Sequence, residues 1–263
     1  MRPPVIFLWA HPRSVSTALE RVFIERGDFN VFHEPFSQAF FFGEERTHPR
    51  FADQAVKPDC TFRGIWDEIE QTGRRNGKWS FVKDLAFHMQ TPLRSALLAQ
   101  VHSTFLIRDP RKAFTSMYKR LPDFDWTEAG YEALYRVFQE ALRIQKNGVL
   151  VIDADHLRQD PEAVLRAYCT GIGVLFLPKS LRWEPKVIPS WEAWKGWHDD
   201  AQFSRGLMSE TATDVVTLPD RVQEMIERAL PIYRAMKVFA EAAASGIVTS
   251  NSDDNSSSDG WLP

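Results

Sequence analysis

Two segments of this sequence combine arginine with hydroxyl side chains in a way that suits the binding of an anion. The first is HPRSVSTALERVF, which presents Arg13 together with Ser14, Ser16 and Thr17. An arginine guanidinium can hold two anionic oxygens at once, and hydroxyls at the start of a helix can bond an anion or cap the helix. These residue types predict a site for a phosphate or a sulfate.

The second segment is FLIRDPRKAFTSMY, roughly one hundred residues farther along the chain. Arg108 ends an apolar run, and Ser116 follows eight positions later. An arginine at the end of a strand and a serine on the next helix can clamp a phosphate, the first through charge-assisted bonds and the second through its hydroxyl. The tripeptide Arg108-Asp109-Pro110 alone is a weak signal of a phosphate site. Together with the first segment, and with Ser116 at this interval, it is a strong one.

The local pattern places the Arg13 segment where a strand passes into a helix. Residues 5–9 are apolar and predict a buried strand, and from Ser16 onward Leu19 and Val22 recur at helical spacing. Backbone N–H groups in the first turn of a helix lack partners within it, and the helix dipole adds positive charge there. An anion suits this place, although strand, loop and helix with one arginine also occur without a ligand. The absence of GxxxxGK[ST] argues against a nucleotide triphosphatase P-loop.

A carboxylate and a lysine follow two further predicted strands. Glu34 comes after residues 29–32, and Lys83 after residues 79–82, with His88 five positions farther on. Ligands of open α/β sheets bind at the carboxyl ends of the strands, and a carboxylate there can accept a proton from an attacking hydroxyl. The alternative is that Glu34 is a surface carboxylate that pairs locally. His33 beside it is expected to be structural.

HPRSVSTAL resembles the 5′-phosphosulfate loop of the sulfotransferases that use 3′-phosphoadenosine 5′-phosphosulfate (PAPS), in the branch whose loop reads PRSGTT. RDP with its later serine resembles the 3′-phosphate motif of the same family, and the resemblance covers roughly residues 5–180. It implies PAPS as the donor. The donor-binding residues that it implies are Arg13, Ser14, Ser16, Thr17, Arg108 and Ser116. Lys195-Gly196 partially resembles a late loop that closes over the nucleotide, and a plain aromatic surface loop explains it equally well.

The same resemblance assigns the catalytic roles. Glu34 resembles the family's catalytic base, and Lys83 matches the lysine of a Lys-x-His pair whose histidine position is Leu85 here. This mismatch favours Glu34 as the base, with His88 as a weaker candidate. Val15 stands at a glycine position of the loop, and without glycine the backbone is less free to adopt a positive φ.

The sequence predicts five strands, at 5–9, 29–32, 79–82, 101–107 and 149–152. Helices alternate with these strands, and one helix is predicted from Thr127 to about residue 148. This alternation predicts an α/β fold with a single doubly wound, mainly parallel sheet flanked by helices. The resemblance implies the P-loop-type sulfotransferase fold over residues 1–244. Residues 245–263 are rich in Ser, Asn and Asp and are expected to form a disordered tail.

Composition excludes several classes of partner. The 263 residues include 32 basic and 35 acidic side chains, and the net charge of -3 gives no global positive field for a nucleic acid. The apolar start is far shorter than a membrane span. Cys60 and Cys169 give neither a disulfide framework nor a metal-ligand spacing, and no metal is expected. We expect a cytoplasmic protein with a small-molecule acceptor.

The expected reaction is the transfer of a sulfuryl group from PAPS to a hydroxyl or amine of a small, partly apolar molecule. Six phenylalanines lie between residues 29 and 42, and they can pack the core or line an acceptor pocket. A small-molecule kinase is disfavoured because the Gly-Lys-Ser/Thr pattern is missing. A nucleotide-binding sensor or scaffold without catalysis stays open because of Val15 and Leu85.

Overall fold

The computed structural model describes residues 3–46, 48–89, 93–146, 148–194, 196–207 and 216–244. Lys195 and the predicted tail, 245–263, lie outside these ranges. Within them the chain forms five strands: β1 (Val5–Ala10), β2 (Phe29–His33), β3 (Trp79–Leu85), β4 (His102–Ile107) and β5 (Leu150–Asp153).

All five strands form one parallel sheet in the order β2-β3-β1-β4-β5. The chain leaves β1 toward one edge of the sheet and leaves β4 toward the other, so the order reverses beside β1. Ligands of open α/β sheets bind outside the carboxyl ends of the strands at such a reversal. The loop after β1, which carries Arg13, lies at this point.

Helices connect and cover the strands. They are α1 (Ser16–Arg26), α2 (Pro35–Phe42), α3 (Phe62–Asn76), α4 (Leu93–Leu98), α5 (Pro110–Tyr118), α6 (Trp126–Ala129), α7 (Tyr131–Ile144), α8 (Ala154–Gln159), α9 (Pro161–Gly171), α10 (Asp199–Phe203) and α11 (Asp220–Ala244). Short 3₁₀ turns lie at Ala86–Met89, Pro178–Leu181 and Pro189–Trp194.

The sheet is buried on both faces, and β1 shows why. Successive side chains of a strand point to opposite faces. Phe7 and Trp9 pack with α2, α3, α5, α7 and α11, whereas Ile6 and Leu8 pack with α1, α8 and α9. Every residue of β1 is buried, which explains its unbroken apolar run. The prediction of a doubly wound parallel sheet is confirmed.

The long helix predicted from Thr127 is wrong in one respect, because the chain forms two helices there. Asp125 caps α6 in a capping box with Glu128, and Gly130 then adopts a left-handed conformation with φ of 77°. A side chain at Gly130 would collide with the loop after β1, since an added Cβ would lie 2.9 Å from Cδ of Pro12. The break therefore lets α7 begin directly against that loop.

Among the described residues, each helix is either too short or too polar to cross a lipid bilayer.

Candidate active site

The loop between β1 and α1 has a strained backbone. Arg13 and Val15 both have positive φ, 61° and 74°. For a residue with a side chain this conformation costs about 1 to 2 kcal/mol. Val15 also occupies the N-cap position of α1, and no side chain caps the helix there. Of the two roles open to the loop hydroxyls, capping α1 is therefore not the one observed, and valine adopts the conformation for which glycine is the usual residue.

The absent cap leaves hydrogen-bonding groups available in the loop. The Ser14 hydroxyl oxygen is buried and has no hydrogen-bond partner in the described part of the protein. The first turn of α1 begins two residues later in the chain. A buried hydroxyl without a partner is uncommon in a native structure and indicates a place where a ligand or water bonds.

Arg13 and Ser116 meet directly. The Nε of Arg13 donates to Ser116 Oγ at 2.9 Å, and its Nη1 donates to the carbonyl of Trp197 at 3.1 Å. Burial lowers the pKa of Arg13; the nearby Asp200 raises it, whereas Arg108 and two further arginines lower it. The two predicted anion-binding segments therefore form one positively charged cluster.

Arg108 is fixed to the same loop by its side chain and by its backbone. Its Nη1 donates to the carbonyl of Arg13 at 2.9 Å, and its N–H donates to His11 Nε2 at 3.1 Å. The Tyr131 hydroxyl donates to the Arg108 carbonyl at 2.7 Å. Burial is the main reason that the pKa of His11 falls to about 3, so the ring is neutral and can accept. Sequence reasoning gave His11 and Tyr131 no role at the site.

Glu34 and Lys83 form a buried ion pair at the carboxyl ends of β2 and β3. The Lys83 ammonium contacts Glu34 Oε1, and the backbone N–H of Glu34 donates to the Lys83 carbonyl at 2.7 Å. The side chain of Glu34 is 9% exposed and that of Lys83 is 1% exposed, so Glu34 is not a surface carboxylate. Burial raises the pKa of Glu34, but the charge of Lys83 outweighs this effect and lowers it. Glu34 is ionised at neutral pH.

His88 is oriented by a carboxylate that the sequence analysis did not assign to the site. Asp84, at the end of β3, accepts from the backbone N–H groups of Phe36 at 2.8 Å and Leu85 at 2.7 Å. Its Oδ1 is also 2.7 Å from His88 Nδ1. When Nδ1 carries the proton toward Asp84, Nε2 of His88 is left as a proton acceptor.

A chain of polar contacts links α1 to the segment before α10. Thr17 Oγ1 lies 3.2 Å from His198 Nδ1, and His198 Nε2 lies 3.0 Å from His33 Nε2. His33 Nδ1 in turn lies 2.7 Å from Glu20 Oε2. Burial and the charge of Lys83 are the main reasons that the pKa of His198 falls to about 2. The sequence offered no signal for His198 beyond its place in a tryptophan-rich stretch.

Comparison of the sequence with known protein families identifies the family of this chain. Residues 4–240 match the family model described as a sulfotransferase domain. The chain belongs to the sulfotransferase domain family.

Two curated relatives of this sulfotransferase domain come from Arabidopsis thaliana. The branched-chain-amino-acid aminotransferase-like proteins 2 and 1 are 29% identical over 244 residues and 27% identical over 246 residues. Each alignment covers 92% of this chain and 43% of the relative. The chain thus spans less than half the length of the curated relatives that it matches.

Solved sulfotransferase structures are also similar to this domain. The sulfotransferase domain from the curacin biosynthetic pathway is 15% identical, with a TM-score of 0.49, and the match covers 86% of this chain and 97% of that one. Mouse sulfotransferase SULT7A1 complexed with PAP is 14% identical, with a TM-score of 0.45 and coverage of 91% and 90%.

One cavity of about 880 Å³ in the sulfotransferase domain brings most of the sequence-predicted site residues together. The residues of that set that line it are Arg13, Ser16, Thr17, Glu34, Lys83, His88 and Arg108. Ser14 and Ser116 are absent from the lining, and Ser116 is joined to it through its bond to Arg13. Gly196 has φ of 86° and packs against Arg120, where an added Cβ would lie 2.4 Å from Nη2.

Apolar side chains form much of the rest of the cavity wall, which also carries Arg50, Arg120 and Arg158. The apolar side chains include Phe41, Phe51, Leu85, Phe87 and Trp194. Of the six phenylalanines between residues 29 and 42, Phe41 lines the cavity, and all six pack in or against the hydrophobic core. The sulfotransferase domain therefore joins a charged region and an apolar region in one cavity.

Proposed function

We propose that this sulfotransferase domain moves a sulfuryl group from PAPS to a hydroxyl or amine of a small, partly apolar acceptor. One observation carries the proposal: the same cavity is lined by Arg13 and Arg108 and by the buried pair of Glu34 and Lys83. An anion-binding cluster alone suits any nucleotide-binding protein. A buried carboxylate beside it adds the means to accept a proton.

The residues present fit the donor. PAPS carries a phosphosulfate and a 3′-phosphate, and when bound it supplies an activated sulfuryl group. The unpartnered Ser14 hydroxyl and the first-turn N–H groups of α1 suit the phosphosulfate, with Arg13, Ser16 and Thr17. Arg108 and Ser116 suit the 3′-phosphate. Gly196 lies beside Arg120 of the cavity wall. We propose that Gly196 and Lys195, which the sequence predicts as donor-binding residues, close over the nucleotide.

Glu34 is proposed as the base. As the acceptor oxygen bonds to sulfur and the bond from sulfur to the phosphate oxygen breaks, Glu34 takes the acceptor's proton and Lys83 stabilises the charge that develops on the leaving oxygen. The lowered pKa keeps Glu34 ionised at neutral pH. The charge of Lys83 that lowers it also weakens the base, so Glu34 gains basicity as Lys83 turns to the leaving oxygen. The ion pair fixes both side chains before the reaction, so positioning contributes to the rate.

His88 is the second candidate for the base, and a specific observation supports it. Asp84 holds Nδ1 of His88, and His88 lines the cavity. A carboxylate that orients a histidine in this way is the arrangement that serves general-base catalysis in other enzymes. The two candidates differ in what holds them, because Glu34 is held by a cation and His88 by an anion.

The apolar wall indicates the kind of acceptor. Phe41, Phe51, Phe87 and Trp194 offer ring surfaces rather than charges. They favour a molecule with a partly apolar body and one nucleophilic hydroxyl or amine over a charged polysaccharide.

The test is to incubate the purified domain with labelled PAPS and a broad metabolite extract and to identify sulfated products by mass spectrometry. We expect a sulfated small molecule, and Arg13→Ala should lower both donor affinity and turnover because Arg13 is proposed to contact the phosphosulfate in the ground and transition states. If the domain binds 3′,5′-diphosphoadenosine but sulfates nothing, the sensor or scaffold hypothesis replaces catalysis. Transfer of phosphate from ATP instead would indicate a kinase.

A further inference from the structure

Three side chains from two distant parts of the sequence, one of them the proposed base, converge in the fold. His33 ends β2, Glu34 follows it, and His198 precedes α10. One ligand atom from each lies within 4.8 Å of the others, and the two Nε2 atoms are 3.0 Å apart. No metal is expected from the sequence, because the two cysteines show no ligand spacing and these histidines are 165 residues apart.

The other nitrogen of each ring already has a partner. His33 Nδ1 lies 2.7 Å from Glu20 Oε2, and His198 Nδ1 lies 3.2 Å from Thr17 Oγ1. Glu20 is itself fixed, since its Oε1 accepts from Trp191 Nε1 at 2.9 Å. A metal-binding histidine is usually held in this way, with its outer N–H donated to a carboxylate or another acceptor.

The two Nε2 atoms face one another, and the contact between them needs a cation or a proton. If both Nδ1 atoms carry protons, both Nε2 lone pairs point into the same 3.0 Å gap. A hydrogen bond there requires a proton on one Nε2, either as an additional proton or through the His198 tautomer whose Nδ1 accepts from the Thr17 hydroxyl. A metal ion can replace that proton and bond both rings, because ligands of zinc at about 2.0 to 2.1 Å stand only slightly farther apart than these atoms.

Glu34 can complete the ligand set. Its Oε1 contacts Lys83, which leaves Oε2 as the second oxygen of the carboxylate. Two imidazoles and one carboxylate are an established ligand set for zinc, with a fourth position left for water.

We propose that His33, Glu34 and His198 form a binding site for a divalent transition-metal ion, for which Zn²⁺ is the probe. Metal binding to Oε2 occupies the carboxylate that takes the acceptor's proton, while Oε1 stays beside Lys83. The domain then alternates between a metal-free form in which Glu34 can act as the base and a metal-bound form in which Glu34 is a ligand. The consequence for catalysis rests on the proposed function, whereas binding itself does not.

The experiment is calorimetric titration of Zn²⁺ into the chelator-treated protein. We expect one equivalent to bind to the wild type. His198→Asn should abolish this stoichiometric binding, and Glu20→Gln, which weakens the support of His33, should lower the affinity roughly 10- to 100-fold. His156→Asn, on α8, is the matched control and should bind as the wild type does. Circular dichroism confirms that each variant is folded.

Two results would overturn the site: no stoichiometric binding by the folded wild type, or equal affinities for the wild type and His198→Asn. A second measurement concerns catalysis, and there Zn²⁺ should inhibit sulfuryl transfer by the wild type. Binding without inhibition would overturn the proposed competition for Glu34. If no sulfuryl transfer is found at all, the proposed function fails, while the calorimetric result still decides the metal site.

Discussion

Replacing Glu34 by glutamine tests the proposed base most directly. Glutamine keeps the size of the side chain and an oxygen that can accept from Lys83, but it takes no proton at neutral pH. We expect turnover to fall roughly 10²- to 10⁴-fold, the usual contribution of a general base. This corresponds to about 3 to 5 kcal/mol of the activation barrier.

The burial of the pair adds an effect on stability that the assay must separate. Glu34 and Lys83 are 9% and 1% exposed, so the substitution leaves a buried ammonium without its counter-charge. Removing one partner of a buried ion pair costs about 3 to 5 kcal/mol, and the retained hydrogen bond places Glu34→Gln near the lower limit. Turnover must therefore be measured at a temperature where thermal denaturation shows the variant to be folded.

The assay compares Glu34→Gln with His88→Asn. Single-turnover transfer to the acceptor found in the extract reports the chemical step, and calorimetry with 3′,5′-diphosphoadenosine reports nucleotide binding. We expect both variants to bind the nucleotide nearly as the wild type does, because neither side chain belongs to the arginine cluster. His88→Asn should cost far less turnover, since asparagine can still donate to Asp84.

The reverse pattern would refute the assignment. If His88→Asn abolishes turnover while Glu34→Gln leaves it intact, the base is the histidine that Asp84 orients, and the ion pair is structural. If neither variant loses turnover, the proton leaves the acceptor by a route that involves neither side chain.

Three further predictions concern the nucleotide, the loop and pH. In calorimetry the wild type should bind 3′,5′-diphosphoadenosine much more tightly than AMP. Arg108→Ala should remove most of that difference in binding free energy, about 1.5 to 3 kcal/mol. Equal affinities of the wild type for the two nucleotides would contradict this assignment. Val15→Gly should change the free energy of unfolding by less than about 1 kcal/mol, because relief of the positive φ offsets lost packing. Val22→Gly, at a buried position of α1, should cost about 3 kcal/mol, and denaturant titrations measure both values. Because the pKa of Glu34 is lowered in the folded protein, the ionised side chain stabilises the fold above the ordinary value of 4.5, and this stabilisation is lost as the pH falls below that value. The difference in the free energy of unfolding between wild type and Glu34→Gln should therefore shrink between pH 5 and 3. A constant difference would show that the ion pair is not the source of the stabilisation.

The sequence by itself determined the elements whose signals are local. An apolar run followed by helical spacing from Ser16 predicted β1 and α1, and Gly27, in the left-handed conformation, ends α1. The apolar run before Arg108 likewise predicted β4 and the start of α5. The resemblance to the sulfotransferases implied that Arg13 and Arg108 bind the same donor. That role stays a prediction, and the two side chains line one cavity.

Only the tertiary structure decided contacts between distant residues. A hydroxyl cap on α1 was one role open to the loop serines, yet Val15 holds the N-cap position. Gly130 interrupts a pattern that reads as one helix, and Pro12 packs where a side chain at this position would lie. Likewise the bond between Arg13 and Ser116, the neutral His11 beneath Arg108, and the approach of His198 to His33 join residues 103, 97 and 165 positions apart. Local periodicity determines which face of an element is apolar. It carries no information on the strand register and helix packing that bring these side chains together.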